Sequence, residues 1–195
     1  MRYKRFFYYS RFVLLLILSS ACNGKVEPDY FLKWLQDETN GLHVKETIRG
    51  FTFDLQYKPW EYAWLQSDLT GLKREEAKKE FEGLQYYSLS IALTDQHTDI
   101  IHFNTESQNE VQQSLYYFSY LFQNDIYLEE NGKRLPCVLY HFERSVDLKS
   151  ERTFELGFEK SDSFENANLV IHSDRFDSFP IKIQVSKKNI PELKL

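Results

Sequence analysis

The chain has 195 residues, of which 42% are hydrophobic and 16% aromatic, and its formal net charge is −5. This length suits a single domain with a sizeable core, and the acidic balance argues against general binding to nucleic acid and against electrostatic adhesion to anionic lipid. The sequence contains no G-x-S-x-G elbow, no phosphate-binding glycine loop and no H-E-x-x-H motif, which argues against the usual nucleotide-binding folds and the enzyme families marked by those motifs.

The first 21 residues have the three parts of a secretory signal. Basic residues and no acidic ones precede an apolar run at 12–18, and small residues then lead into Cys22. A membrane-spanning helix needs roughly 20 consecutive apolar residues, and Arg11 cuts this run short. We therefore predict that residues 1–21 are a signal peptide.

The end of this leader, LILSSAC, resembles the lipobox of bacterial lipoproteins, although Ser19 stands where lipoboxes favour leucine. The resemblance covers only the leader. It implies that Cys22 becomes the first mature residue and carries acyl chains. These would hold the protein on a membrane of the bacterial cell envelope, more often the outer membrane, with its domain in the periplasm or at the cell surface. Ser19 and Ala21 also satisfy the rule for ordinary signal cleavage, and that alternative leaves Cys22 as a free thiol.

Removal of the leader would make the protein more acidic. The leader holds four of the 24 Lys and Arg residues and none of the 29 Asp and Glu residues, so residues 22–195 carry a formal charge of −9. Attachment to a membrane is therefore expected to come from the lipid and not from charge.

Two states are possible for the second cysteine, Cys137, and they depend on whether Cys22 is acylated. If Cys22 is acylated, Cys137 is expected to be a buried small hydrophobe; if it is not, an exported compartment would permit a Cys22–Cys137 disulfide. His141 lies four residues further along the same strand, on the same predicted face but about 13 Å away by the usual strand rise. That distance argues against a catalytic pair.

Residues 22–27 are polar and are predicted to be a short tether to one globular domain, residues 28–195. Pro28 opens a helix whose apolar residues recur at helical spacing, and Asn40-Gly41 is expected to end it.

The middle of the chain mixes strands and helices. Apolar and polar residues alternate at 51–57 and again at 87–93, which predicts half-buried antiparallel strands. Between them, PWEYAWLQ predicts a short helix, and a longer helix is expected at 72–84. A short strand is expected at 100–103.

Thr105-x-x-Gln108 has the spacing of a capping box, which predicts the start of a helix over 106–122.

The remainder reads as β structure. Asn131-Gly132 predicts a two-residue hairpin turn. That register sets an acidic residue opposite a basic one at two positions, Glu130 with Lys133 and Glu129 with Arg134. Pro136 predicts that the second strand is an edge strand or is bulged nearby. Three more strands are expected, around 154–158, 169–172 and 181–185. The predicted fold class is α+β, mostly antiparallel β, sandwich-like or a large twisted sheet, with two or three packed helices.

Three sets of residues could carry chemistry, and each has a structural alternative. Asp95, His97, Asp99 and His102 could bind a metal, but a polar turn between strands explains them better. The SDSFENAN loop could bind calcium, but it lacks the regular alternation of a calcium loop. Trp60 and Trp64, with Tyr57 and Tyr62, could form a platform for glycan or peptide, but such spacing usually means packing on a sheet. We predict no metal, no cofactor and no catalytic residue.

These observations favour a lipid-anchored cell-envelope protein with a non-catalytic binding or structural role and an envelope protein or polymer as partner. One alternative is an envelope enzyme, perhaps a hydrolase, with an unrecognised site. Another is an immunity or inhibitor lipoprotein that caps a toxin. A deep pocket with converging polar groups would favour the enzyme, and a flat or grooved face would favour the binding protein.

Overall fold

The computed structural model describes residues 25–67, 70–95, 97–143, 150–160 and 166–194. The leader and Cys22 lie outside these residues, as do the first five residues of the SDSFENAN loop. Among the described residues, no helix is long and apolar enough to cross a membrane.

Eight strands form one antiparallel sheet in the described part of the chain. They are β1 (His43–Ile48), β2 (Phe51–Lys58), β3 (Leu84–Leu93), β4 (Ile126–Glu130), β5 (Lys133–Phe142), β6 (Arg152–Glu159), β7 (Asn166–Ile171) and β8 (Ile181–Ser186). Their order in the sheet is β1-β2-β3-β6-β5-β4-β7-β8. The predicted class, α+β with a mostly antiparallel sheet, is therefore confirmed.

The sheet curls until its two edge strands, β1 and β8, nearly meet, so its shape is close to a barrel. The backbone N–H of Ser186 donates to the carbonyl of Gly41 at 3.0 Å. At the other end of this seam, Arg49 Nε lies 2.8 Å from a carboxylate oxygen of Asp177. Gly41 has a φ of +78°, and a Cβ on it would lie 3.1 Å from the Cβ of Ser186, so this close approach favours glycine.

The barrel interior is filled by apolar side chains from alternate positions of the strands. In β2 and β3, for example, Phe53, Leu55, Leu89 and Ile91 have no exposed surface, while their neighbours in sequence face outward. This is the period of two that the sequence shows. The buried apolar residues of the described chain lie between Phe31 and Leu193.

The two ends of the barrel differ in the elements that cover them. End A is where β2 ends and β3 begins; end B is where β3 ends and β4 begins. Four α-helices are described: α1 (Pro28–Gln36), α2 (Trp60–Gln66), α3 (Gly71–Glu82) and α4 (Gln108–Tyr116). The first three lie at end A and match predicted helices. At end B, α4 continues through a π-helical turn, Tyr117–Leu121, and a 3₁₀ turn, Phe122–Asp125.

Helix α1 ends at Gln36, earlier than the predicted stop at Asn40-Gly41, because Asp37 is already extended. A 3₁₀ turn, Glu38–Asn40, follows it, and Gly41 takes the left-handed conformation that closes the turn. Phe31 and Leu35 of this helix pack with Leu42 and Leu193 in a second apolar cluster at end A.

Two details of the loop between β3 and α4 correct the predictions. The expected strand at 100–103 is wrong, because the Asp99 carboxylate accepts the backbone N–H groups of Ile101 and His102 and folds the chain into turns. The capping box is also placed two residues too early. Ser107 Oγ accepts the Glu110 N–H, and the Glu110 carboxylate accepts the Ser107 N–H.

Strand β1 was missed by the sequence reading. Only two of its six residues, Val44 and Ile48, are apolar and pack on the core. Between them Glu46 occupies the same face, so the strand lacks the continuous apolar stripe that marks a half-buried strand.

The hairpin is confirmed at Asn131-Gly132, whose φ values are +49° and +73°. The predicted register is also present, with each acidic residue opposite the expected basic one. β5 is an interior strand and not an edge, but it is bulged between Cys137 and Leu139, next to Pro136. The bulge provides the irregularity that proline needs inside a sheet.

The first and last parts of the described chain meet at end A. Val26 forms a parallel bridge with Leu193. Its N–H donates to the Glu192 carbonyl at 2.8 Å, and its carbonyl accepts the Lys194 N–H at 2.9 Å. Val26 falls within residues 22–27, the segment assigned to the tether, so the folded part of the chain includes the end of that segment.

Candidate functional site

End A contains a buried cluster of charged and polar side chains. Lys187 donates to Gln85 and Glu130, and the Gln85 amide donates to Glu130 at 3.0 Å. The Lys187 side chain is 4% exposed and that of Glu130 is 0% exposed. The Lys187 Nζ also lies 4.6 Å from the ring centroid of Tyr57 and 5.4 Å from that of Tyr87. The cation therefore has a carboxylate, an amide and two aromatic rings around it.

This cluster joins parts of the barrel that are not neighbours in the sheet. Gln85 is at the start of β3, Glu130 is at the end of β4, and Lys187 directly follows β8. Burial lowers the pKa of Lys187, against the opposing effect of Glu130. Its polar groups therefore bond to one another across the interior at end A.

The sequence reading missed this cluster and assigned Glu130 to a pair with Lys133. The register of that pair is right, but the Glu130 side chain points into the barrel and bonds to Lys187. The alternation of residues along β4 already indicates that Glu130 faces inward. Glu130 has the parity of Ile126 and Leu128, so it continues the inward-facing stripe of its strand.

A cavity of about 300 Å³ opens at end B. It lies beside α4 and is also lined by the loops at 103–105 and 174–176. Aromatic residues form much of its wall: Phe51, Phe103, Phe118 and Phe176. Polar residues provide the rest: Asn104, Thr105, Glu110, Gln113, Asp174 and Arg175. The cavity could accept a group with an apolar body and polar substituents.

The charged residues of this cavity also have partners in the fold. Arg175 Nη1 donates to the buried hydroxyl of Ser114 at 3.1 Å, and its guanidinium lies 4.5 Å from the ring centroid of Tyr117. The Glu110 carboxylate accepts the N–H of Glu106 at 2.6 Å as well as that of Ser107. These two backbone bonds lower the pKa of Glu110. Both charges are therefore held in place before any ligand arrives, although the sequence reading singled out neither residue.

The four residues weighed as a metal site do not converge. Asp95 and His97 lie in an exposed turn, whereas Asp99 is buried and its carboxylate bonds to Arg152 and His102. Burial opposes ionisation of Asp99, but the bonds to Arg152 and His102 outweigh it and lower its pKa. Within the described residues, no group of three or more His, Cys, Asp and Glu side chains could hold a metal ion.

A second cavity, of about 390 Å³, lies along the β4–β5 hairpin and includes Cys137 and His172. Cys137 is buried, and Cys22 lies outside the described residues; burial raises the pKa of the Cys137 thiol to about 11, and its Sγ donates to the Leu139 carbonyl. The prediction that His141 shares a face with Cys137 is wrong. The bulge after Cys137 adds a residue to the strand and reverses the alternation, so His141 faces outward.

The tryptophans of α2 form packing and not an open platform. The ring centroids of Trp60 and Trp64 are 6.5 Å apart, and Trp64 is 9% exposed. Tyr57 and Tyr62 pack on the apolar cluster at end A. This agrees with the structural reading of these residues.

Comparisons with known proteins add little. No protein-family model and no curated protein matches the chain. Among solved structures, a novel protein of unknown function from Burkholderia pseudomallei is similar at 7% sequence identity and a TM-score of 0.35, over 84% of this chain and 92% of that chain. A similarity at this level carries no argument about fold or function.

Proposed function

We propose that this chain is a lipid-anchored protein of the bacterial cell envelope that acts by binding and not by turnover. The leader and its LSSAC ending support the anchor at Cys22. The formal charge of −9 without the leader supports a partner that is neither nucleic acid nor anionic lipid.

The observation that carries the proposal is the placement of the chain's entry relative to the cavity. Val26 is fixed at end A by its bonds to the C-terminal segment, four residues after Cys22. The aromatic-walled cavity opens at end B. A copy anchored at Cys22 would therefore present this cavity away from the membrane, where an envelope protein or polymer can reach it.

The bonds made by the polar groups of end B are consistent with a binding role. Asp99 is bonded to Arg152, Glu110 to backbone N–H groups, and Arg175 to Ser114. Groups held in this way are suited to fixed recognition of a ligand.

The anchor is tested by metabolic labelling with palmitate. Wild type should incorporate label and sediment with membranes, whereas Cys22→Ala should lose both properties. Equal labelling or equal membrane retention of the two proteins would contradict the anchor.

The binding role is tested by a photocrosslinking amino acid placed at either end. Position 113 lines the cavity at end B, and position 30 is an exposed residue of α1 at end A. We expect a discrete protein or polymer adduct in cells from position 113 and none from position 30. The absence of an adduct at 113, or the same adduct at both positions, would contradict a binding site at end B.

A further inference from the structure

We infer that end A is a contact surface for the headgroups of the bilayer to which Cys22 is attached; this inference rests on the proposed lipid anchor. The first support is chain length. Lys25 follows Cys22 by three residues, which span at most about 11 Å when fully extended. Because Val26, the fourth residue after Cys22, is fixed to the C-terminal segment, end A can lie no further than about 14 Å from an acylated Cys22, roughly the depth of two headgroup layers.

The second support is the residues that end A presents. Of the tryptophans at this end, Trp34 of α1 is half-buried, whereas Trp60 and Trp64 of α2 pack against each other. On α1, Tyr30 is 57% exposed and Lys33 lies one turn further along on the outer side, while Phe31 and Leu35 face inward. Tryptophan, tyrosine and lysine are the residues that membrane interfaces favour.

Charge decides which lipids this surface fits. Near the entry of the chain, Lys25 Nζ lies 2.8 Å from a Glu192 carboxylate oxygen and Lys194 Nζ lies 2.7 Å from one of Glu27. These basic residues are thus neutralised by the protein's own acidic ones, and the whole chain is acidic. The surface therefore fits zwitterionic phospholipid and not an anionic membrane.

Aromatic exposure alone would not select end A, since Phe179 at end B is 71% exposed and Tyr120 is 59% exposed. The short tether at Cys22 is what places end A, and not end B, next to the membrane. Moving the anchoring cysteine to end B tests this. Cys137 is buried, and burial raises the pKa of its thiol to about 11, so a maleimide lipid reacts at neutral pH much faster with an exposed cysteine.

In the test, residues 22–195 are coupled through Cys22 to a maleimide lipid in phosphatidylcholine vesicles, with and without phosphatidylcholine brominated near the top of its acyl chains. We expect the brominated lipid to remove roughly a third of the tryptophan emission, the share of one interfacial residue in three. Trp34→Phe should abolish this loss. The reversed protein, Cys22→Ser with Phe179→Cys, should show almost none.

Equal losses in the two orientations, or no loss with the Cys22 anchor, would overturn the inference. A matched pair of surface variants sharpens it: Tyr30→Asp should weaken the loss, whereas Tyr120→Asp, equally exposed at end B, should leave it unchanged. Because the vesicle supplies the anchor chemically, this result is readable even if cells do not acylate Cys22. Palmitate labelling decides the proposed function separately.

Discussion

The two ends of the barrel are closed by different kinds of interaction. End A is closed by a buried cation, Lys187, with its carboxylate and amide partners. End B is closed by rings: the centroids of Phe118 and Phe122 are 5.5 Å apart, and those of Phe122 and Phe176 are 5.7 Å apart. The stability of a buried charged cluster depends on the identity of each partner, whereas the stability of a packed apolar cluster depends mainly on the volume of its side chains. The ends should therefore respond differently to single substitutions.

The largest expected effect is that of Lys187→Met at end A. This change leaves the Glu130 carboxylate, which is fully buried, without its cation. We expect the free energy of unfolding to fall by about 3–5 kcal/mol in a urea titration. The control Lys79→Met, at an exposed position of α3, should change it by about 0.5 kcal/mol or less.

The double variant Lys187→Met with Glu130→Leu should recover most of that loss, since it removes both charges. A double variant no more stable than the single one would mean that packing, and not charge, makes end A sensitive.

The next effect is that of Asp99→Asn at the rim of end B. Loss of the charged bond to Arg152 should lower the free energy of unfolding by about 1.5–3 kcal/mol at pH 7. The native pKa of Asp99 is lowered from 3.8. Its stabilisation is therefore fully present above about pH 4 and is lost as the pH falls through the lowered native value. The difference in free energy of unfolding between wild type and Asp99→Asn should therefore shrink from pH 5 to pH 3. A difference that stays constant over this range would contradict an ionised Asp99.

A smaller effect is expected at the hairpin turn of end A. Gly132 has a φ of +73°, which a β-branched residue resists, so Gly132→Val should lower the free energy of unfolding by about 1–2 kcal/mol. Asn131→Gly, which keeps the turn's backbone accessible, is the matched control and should have little effect. Unchanged stability of Gly132→Val in denaturant would mean that the turn tolerates another conformation.

The smallest effect is expected from Phe118→Leu at end B. Phe118 is 1% exposed, but its neighbours are rings that can shift to fill a small change in volume. We expect a loss of about 1.5 kcal/mol or less, measured as for Lys187→Met. A loss as large as that of Lys187→Met would remove the contrast between the two ends.

Much of the sheet could be predicted because its strands alternate strictly. The stripes around Phe53 and Leu89 and the Asn131-Gly132 turn were local signals, and the structure keeps them. β1 could not be predicted, since Glu46 interrupts the stripe between its two apolar residues. The bulge after Cys137 could be anticipated from Pro136, but its reversal of the face of His141 could not, because that depends on where the extra residue falls.

The candidate sites were harder to predict, for two reasons. The end A cluster unites residues at the ends of three separate strands, Gln85, Glu130 and Lys187, and each strand alone shows only a polar residue at the end of an apolar stripe. The end B cavity depends on a loop whose turns are set by the Asp99 side chain, and the sequence reading assigned a strand there. Contacts between residues that are distant in the sequence produce no local periodic pattern from which they could be predicted.

The anchor at Cys22 is tested most directly by mass spectrometry of the N-terminal peptide of the protein recovered from cells. We predict that this peptide begins at Cys22 and carries the added mass of acyl chains. A mature chain that begins elsewhere, that begins at an unmodified Cys22, or that retains its leader would contradict the lipid anchor and, with it, the display of end B away from the membrane.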